Sequence, residues 1–187
     1  MSGHGHIDPS NKKIALLIAI LALILAFSET FAKSAQTSAL SYNIEAANLW
    51  SFFQAKTIRM TTVQTAVEAA ELELKQTNSP INKDLLRERI ESWKKIAMRY
   101  DSEPETKEGR KELMARAKIA ENKRVQSMAA YHYYELGSAA LQIAIVLASA
   151  EIITGVVALT WISGGLGLVG LLLSLIGFFA PMAIHLL

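Results

Sequence analysis

Residues 42–74 read YNIEAANLWSFFQAKTIRMTTVQTAVEAAELEL. Tyr42, Ala46, Leu49, Phe53, Met60, Val63, Val67, Ala70 and Leu74 recur there at alternating steps of four and three, and Lys56 takes one apolar turn. That alternation averages 3.5 residues, the period of a helix that packs along its whole length against another helix. The stretch therefore predicts a long helix in need of a partner, and the rest of the chain is read for what supplies it.

The partner follows in the same chain. Thr77–Lys83, with Asn78, Ser79 and Pro80, reads as a turn. Leu86, Ile90, Trp93, Ala97 and Tyr100 then repeat the spacing, Asp101–Gly109 with Pro104 interrupts it, and a helix resumes near Arg110 with Leu113, Ala117 and Ala120 on one stripe. At 1.5 Å per residue the outgoing arm from Lys33 to Gln76 rises roughly 66 Å and the two returning pieces descend roughly 75 Å, so the arms match as an antiparallel hairpin. Equal heights put Lys56 opposite Glu112 and Glu45 opposite Arg124. These are the expected register pairs, which set alignment more than they add stability.

Working outward, the two ends of the chain are apolar. Of 187 residues 51% are hydrophobic, yet all the Lys and Arg except Lys12 and Lys13 fall between Lys33 and Arg124. Ile14–Ala32 is long enough to cross a bilayer, and Gly137–Ile162 and the stretch from Gly164 to Leu187 read as two more spans separated by a tight turn at Ser163, Gly164 and Gly165. Tyr131, Tyr133 and Tyr134 before the second span and Trp161 at its end read as an interfacial aromatic belt. Glu29 reads as the partner of Lys33 one turn on. Ala15, Ala19, Ala22 and Ala26 mark a face of the first span that another helix can approach closely.

The expected fold is thus an all-α membrane protein. Three transmembrane helices (14–32, 137–162 and 164–187) carry a long antiparallel, coiled-coil-like helical hairpin outside the bilayer (33–136, turn 77–83, break 101–109), behind a flexible polar tail (1–13). Lys12 and Lys13 beside the first span argue for a cytoplasmic N terminus and a periplasmic hairpin in a bacterial inner membrane.

Composition narrows function. Lys and Arg number 19 and Asp and Glu 17, interleaved, which gives a mixed solvated surface rather than a nucleic-acid footprint. Cysteine is absent, so thiol catalysis and Cys-ligated zinc are out. No P-loop, GxGxxG, HExxH, GxSxG or EF-hand pattern occurs, and no enzyme is expected. The sharpest chemical signal is Glu151, an acid inside the second apolar run, where a charge costs at least about 2.5 kcal/mol. Small residues on its face, and Ser174 counted from the expected turn, suggest a Glu151–Ser174 hydrogen bond that fixes packing; the competing reading is a proton or cation station. Trp50, Phe52 and Phe53 widen the apolar face of the hairpin, either to cover Ala117 and Ala120 or, with Gln54 and Lys56, to meet another protein. After loss of Met1, Ser2-Gly3-His4 with His6 nearby matches a Cu(II) or Ni(II) nitrogen set; the plain alternative is a polar tail with two histidines. No other cofactor is expected.

Residues Leu49–Met60, LWSFFQAKTIRM, carry Phe53, Gln54, Ala55 and Lys56. This resembles the aromatic-Gln-Ala-Lys motif of a bacterial membrane family known as domain of unknown function 4337, with Phe where that family often has Tyr. The order of an N-terminal span, a charged helical middle and two closing spans extends the likeness over nearly the whole chain. The resemblance implies a bacterial membrane protein and no particular activity. Together these readings lead to an expected role as an integral membrane scaffold or accessory subunit that self-associates or docks onto a larger membrane complex. An ion- or proton-conducting protein using Glu151 is the alternative, and a metal-binding accessory using His4 and His6 a weaker one.

Overall fold

The computed structural model describes residues 9–183. Its elements are α1 (Pro9–Gln76), α2 (Pro80–Asp101), α3 (Arg110–Thr154) and α4 (Ala158–Phe179), and among the described residues there is no strand. The tail histidines His4 and His6 lie outside the described residues.

α1 runs for 68 residues because neither glycine nor proline occurs between Pro9 and Pro80. Pro80 opens α2 at a position where its missing N–H costs nothing, and the Ser79 side chain accepts the Asn82 N–H at 3.5 Å. Three helices, α1, α3 and α4, are long and apolar enough to cross a membrane. The chain forms two compact units, Ser41–Asn122 and the remainder.

In the first unit α1 packs antiparallel to α2 and α3. Ala46, Leu49, Leu113, Ala117 and Ala120 form one buried cluster with Trp50 and Phe53 against it; Val67, Ala70 and Ile90 form another with Leu74, Leu86 and Trp93. None of the seam residues from Tyr42 to Leu74 is exposed. The 3.5-residue period thus sets the buried face.

In the other unit α1, α3 and α4 surround Leu21, Leu141 and Ala144. Ser163, Gly167, Gly170 and Gly177, the small seam of α4, are buried there. The alanines of α1 are not: Ala15, Ala19, Ala22 and Ala26 are all exposed. Small residues enter this interface from α3 and α4, so α1 offers its large Leu21, which lies where a side chain on Gly167 would go.

The connection between α3 and α4 differs from expectation. The chain turns at Gly155–Val157, not at Ser163–Gly165, which lie inside α4. Gly155 has φ +71, a left-handed conformation that glycine adopts without a Cβ penalty, and its N–H reaches Glu151 O at 2.8 Å to close the last turn of α3. The second apolar run therefore ends at Thr154, the third opens at Ala158 and ends before Pro181, and Trp161 sits in the first turns of α4, 79% exposed.

Close packing of α3 on α4 depends on a reciprocal pair. A Cβ on Gly170 would lie 2.8 Å from Gly137 O and 2.7 Å from Leu141 Cγ, and one on Gly137 would lie 2.9 Å from Gly170 O. Gly170→Val should therefore lower the thermal unfolding midpoint in detergent, by about 1 to 3 kcal/mol of stability. Gly164→Ala, with nothing within 4 Å of the new methyl, should leave it unchanged or raise it slightly through helix propensity; a turn at Gly164 would reverse that order.

Candidate functional site

The most structured polar region is where the α2–α3 break folds onto α1 at Phe53 and Lys56. On a helix these two residues are three apart and share the inner face, while Gln54 and Ala55 point outward and are exposed. Phe53 lies between Trp50, whose ring is edge-on at 5.3 Å, and the Arg110 guanidinium, 5.2 Å from the Phe53 ring centre. Arg110 also donates to Thr57 Oγ1 at 3.0 Å and to Asp101 Oδ1 at 3.3 Å. Trp50 donates to Glu121 Oε1 at 2.8 Å. Trp50 and Phe53 thus cover Ala117 and Ala120 from within the chain; of the aromatic trio only Phe52 is open, 62% exposed.

Lys56, with only 17% of its side chain exposed, reaches Glu103 at 3.9 Å and Glu108 at 4.0 Å and lies 5.5 Å from the Tyr100 ring centre. The expected partner, Glu112, is otherwise engaged: it accepts from Ser102 Oγ at 2.6 Å and from the Glu103 N–H at 3.1 Å. Height alone put Glu112 opposite Lys56, but the break doubles back and brings its own carboxylates to the lysine. Glu45 and Arg124, the other expected pair, fall in different units. Beside the clasp a groove of about 700 Å³ is lined by the apolar Ile44, Phe52 and Ala55, by the amide of Asn48, and by the charged Lys56, Arg59, Arg116, Glu45 and Glu108.

The hydrogen bonds from Ser102 and then from the Glu103 N–H hold the Glu112 carboxyl below its ordinary range, and the Arg99 guanidinium does the same for Glu103. Arg110, Glu103 and Ser102 did not stand out in the sequence. Arg110 could have been found by the same counting of heights, which sets it opposite Ile58, next to Thr57; the others sit in a break with no period to read.

A second polar node lies in the other unit. Ser28 of α1, Ser138 of α3 and Ser174 of α4 meet: Ser138 Oγ donates to Ser28 Oγ at 3.0 Å, Ser28 and Ser174 are 3.0 Å apart, and Ser28 donates to Tyr134 O at 3.2 Å. One hydroxyl from each helix fixes the height of all three. Ser174 is therefore paired with Ser28 and with Gly170 O at 2.9 Å, and not with Glu151. Glu151 lies three residues before the end of α3 and is 7% exposed; its Oε2 has no hydrogen-bond partner among the described residues, as is true of Thr160 Oγ1. Ser163 Oγ donates to Ala144 O at 2.7 Å, a register that puts Glu151 near the α3–α4 turn. The aromatic belt is only partly displayed outward. Tyr133 and Tyr134 are buried, Tyr134 with its ring 5.7 Å from Phe31, while Tyr131 is half-buried and donates to Glu135 at 3.2 Å. Glu29 accepts from Gln142 at 3.0 Å rather than meeting Lys33.

The model of the family described as domain of unknown function (DUF4337) matches residues 10–180. The chain belongs to this family. No curated protein and no solved structure matches it. For this DUF4337 member, the aromatic and the lysine of the aromatic-Gln-Ala-Lys motif are the residues that clasp the α2–α3 break, and the intervening Gln54 and Ala55 lie on its outer surface.

A lowered carboxyl pKa contributes stability that is full above the unfolded value, about 4.3, and is lost as pH falls through the folded one. The thermal midpoint of the wild type should therefore exceed that of Glu112→Gln at pH 7. The gap should close in acid below pH 4; a gap independent of pH would show that the Glu112 hydrogen bonds to Ser102 and the Glu103 N–H do not depend on its charge. A double-mutant cycle should find coupling between Lys56 and Glu103 and none between Lys56 and Glu112.

Proposed function

We propose that this protein is an integral membrane scaffold or accessory subunit of a bacterial inner membrane. Its helical hairpin stands outside the bilayer, in the periplasm if Lys12 and Lys13 hold the N terminus in the cytoplasm. It works by self-association or by docking onto a larger membrane complex. The observation that carries this reading is the apolar surface left open on the hairpin unit. Phe52, Ile58, Leu72, Ile81, Leu85 and Met98 are each between 58% and 73% exposed. They lie in the charge-rich section of the chain, and on the scaffold reading contact with protein covers them. The alanine face of α1, also open, supports the same reading within the bilayer, where small residues let helices approach closely.

A second reading, a proton- or cation-conducting protein, is favoured by one observation. Glu151 is buried with a carboxylate oxygen that no described group satisfies, and such groups in apolar surroundings are functional candidates. The serine node, however, is internally satisfied and near the opposite end of the span. That leaves Glu151 and Thr160 as polar stations at one end only.

Native mass analysis in mild detergent should give a mass above the monomer, either a multiple of the chain or a complex with another membrane protein. A bare monomer would end the scaffold reading. Proton flux in proteoliposomes that disappears in Glu151→Gln would replace it with the conducting one; the scaffold reading expects no flux above empty vesicles.

A further inference from the structure

The buried seam of α1 has a counterpart two residues further on. A shift of two residues turns a helix by about 200°, so this second set lies across α1 from the inner seam; its first members, Ile44, Asn48 and Ala55, also line the groove beside the clasp. It runs Ile44, Asn48, Ser51, Ala55, and then repeats as Ile58, Thr62, Thr65, Ala69, with Leu72 opening a third round. Every one of these residues is exposed and none is charged. The order, a large aliphatic followed by two polar residues and an alanine, recurs every 14 residues, or two heptads. Solvent does not demand such order. On α2 the exposed face carries Asp84, Arg87, Glu88, Glu91 and Lys95, as an unpartnered helix surface normally does.

We propose that this outer seam pairs with the same seam of a second copy of the chain, in parallel and in register. The inference rests on the membrane-scaffold reading above and names its partner. α1 is one unbroken helix from the apolar segment into the hairpin, so two copies in one membrane present the seam in the same direction and at the same height. A partner that lies along it needs a matching 3.5-residue period, and the second copy has it. The core of this pairing is mixed, with Ser51, Thr62 and Thr65 beside the aliphatic positions. With Ile44, Ile58 and Leu72 as d residues, Asn48 is an a residue, the place where a polar side chain selects dimers and register at some cost in stability. Between flanks, Ala47 receives Phe52 of the partner subunit and Gln54 reaches Arg59 of the partner subunit, which gives the open aromatic a small residue to lie on. Glu68 meets Glu73 of the partner subunit, the unfavourable contact of the set. Contact over about 42 Å of helix removes on the order of 1,500 Å² in total, the size of a specific interface. A shallow groove of about 620 Å³ between Thr57 and Ala69 lies along this face.

The chain contains no cysteine, so single replacements report cleanly. Ala55→Cys, Ile58→Cys and Thr62→Cys on the seam are compared with Asn43→Cys and Gln64→Cys, exposed positions off it, by oxidation of the full chain in native membranes. Disulfide-linked dimers of this chain are expected at the seam at least fivefold above the off-seam positions. Equal yields, none at the seam, or a seam adduct with a different protein overturn the pairing. Native mass analysis of the same preparations separates the failures: oligomers without seam cross-links leave the scaffold reading and remove this surface, and a monomer removes both. Ile58→Glu, on an exposed site that leaves the hairpin core intact, should dissociate the oligomer while Gln64→Glu does not; dissociation by neither would also contradict the proposal.

Discussion

An uninterrupted helix sorts its side chains by angle alone, and α1 is uninterrupted over 68 residues. No glycine or proline interrupts it between Pro9 and Pro80. Each partner must therefore meet whichever stripe the sequence puts there. The inner stripe of the hairpin unit is apolar and takes α2 and α3. The clasp at Phe53 and Lys56 then ties down the one place where the returning arm is not helical, by giving the break's carboxylates a cation and its Arg110 an aromatic face. The stretch Phe53-Gln54-Ala55-Lys56 accordingly reads as a helix-to-break joint with two residues inside and two outside.

What was legible in the sequence was periodic. The seam from Tyr42 to Leu74 identified its own buried face, and the resemblance carried by Phe53–Lys56 agrees with a family match over residues 10–180. Counting rise per residue set Lys56 opposite Glu112. It did not choose the partner of Lys56, because Glu103 and Glu108 reach it from a segment with no helical period, where Lys107 takes a positive φ of 58°. Arithmetic along helices cannot see a break that folds back.

Glycine misled in one place for a physical reason. Ser163-Gly164-Gly165 has the composition of a turn, but it lies inside α4, where Ser163 is buried and donates to Ala144 O while Gly164 and Gly165 face open space. The turn formed at Gly155, a single glycine with φ +71. Misplacing it by about nine residues moved every height counted from it. Ser174 went to the serine node instead of to Glu151, and Trp161 moved from the end of one helix to the start of another. Ser174 stood out in the sequence only as the expected partner of Glu151, while Ser28 and Ser138 did not stand out, since a lone Ser in an apolar run has no signature. Their meaning is in the meeting of three helices.

The hairpin unit is thus a helix with two seams and one set of internal partners. Its inner seam is used within the chain, and its outer seam, charge-free and repeating every 14 residues, fits the same seam on a second copy. The most direct measurement is the distance between spin labels on paired copies in a lipid bilayer, with one sample labelled at Ala55→Cys and another at Ala69→Cys. Helices in contact lie 8 to 10 Å apart, so parallel pairing in register predicts distances below about 25 Å that are alike at both positions. A long distance at either position, or a short one at Ala55 that grows at Ala69, would contradict it.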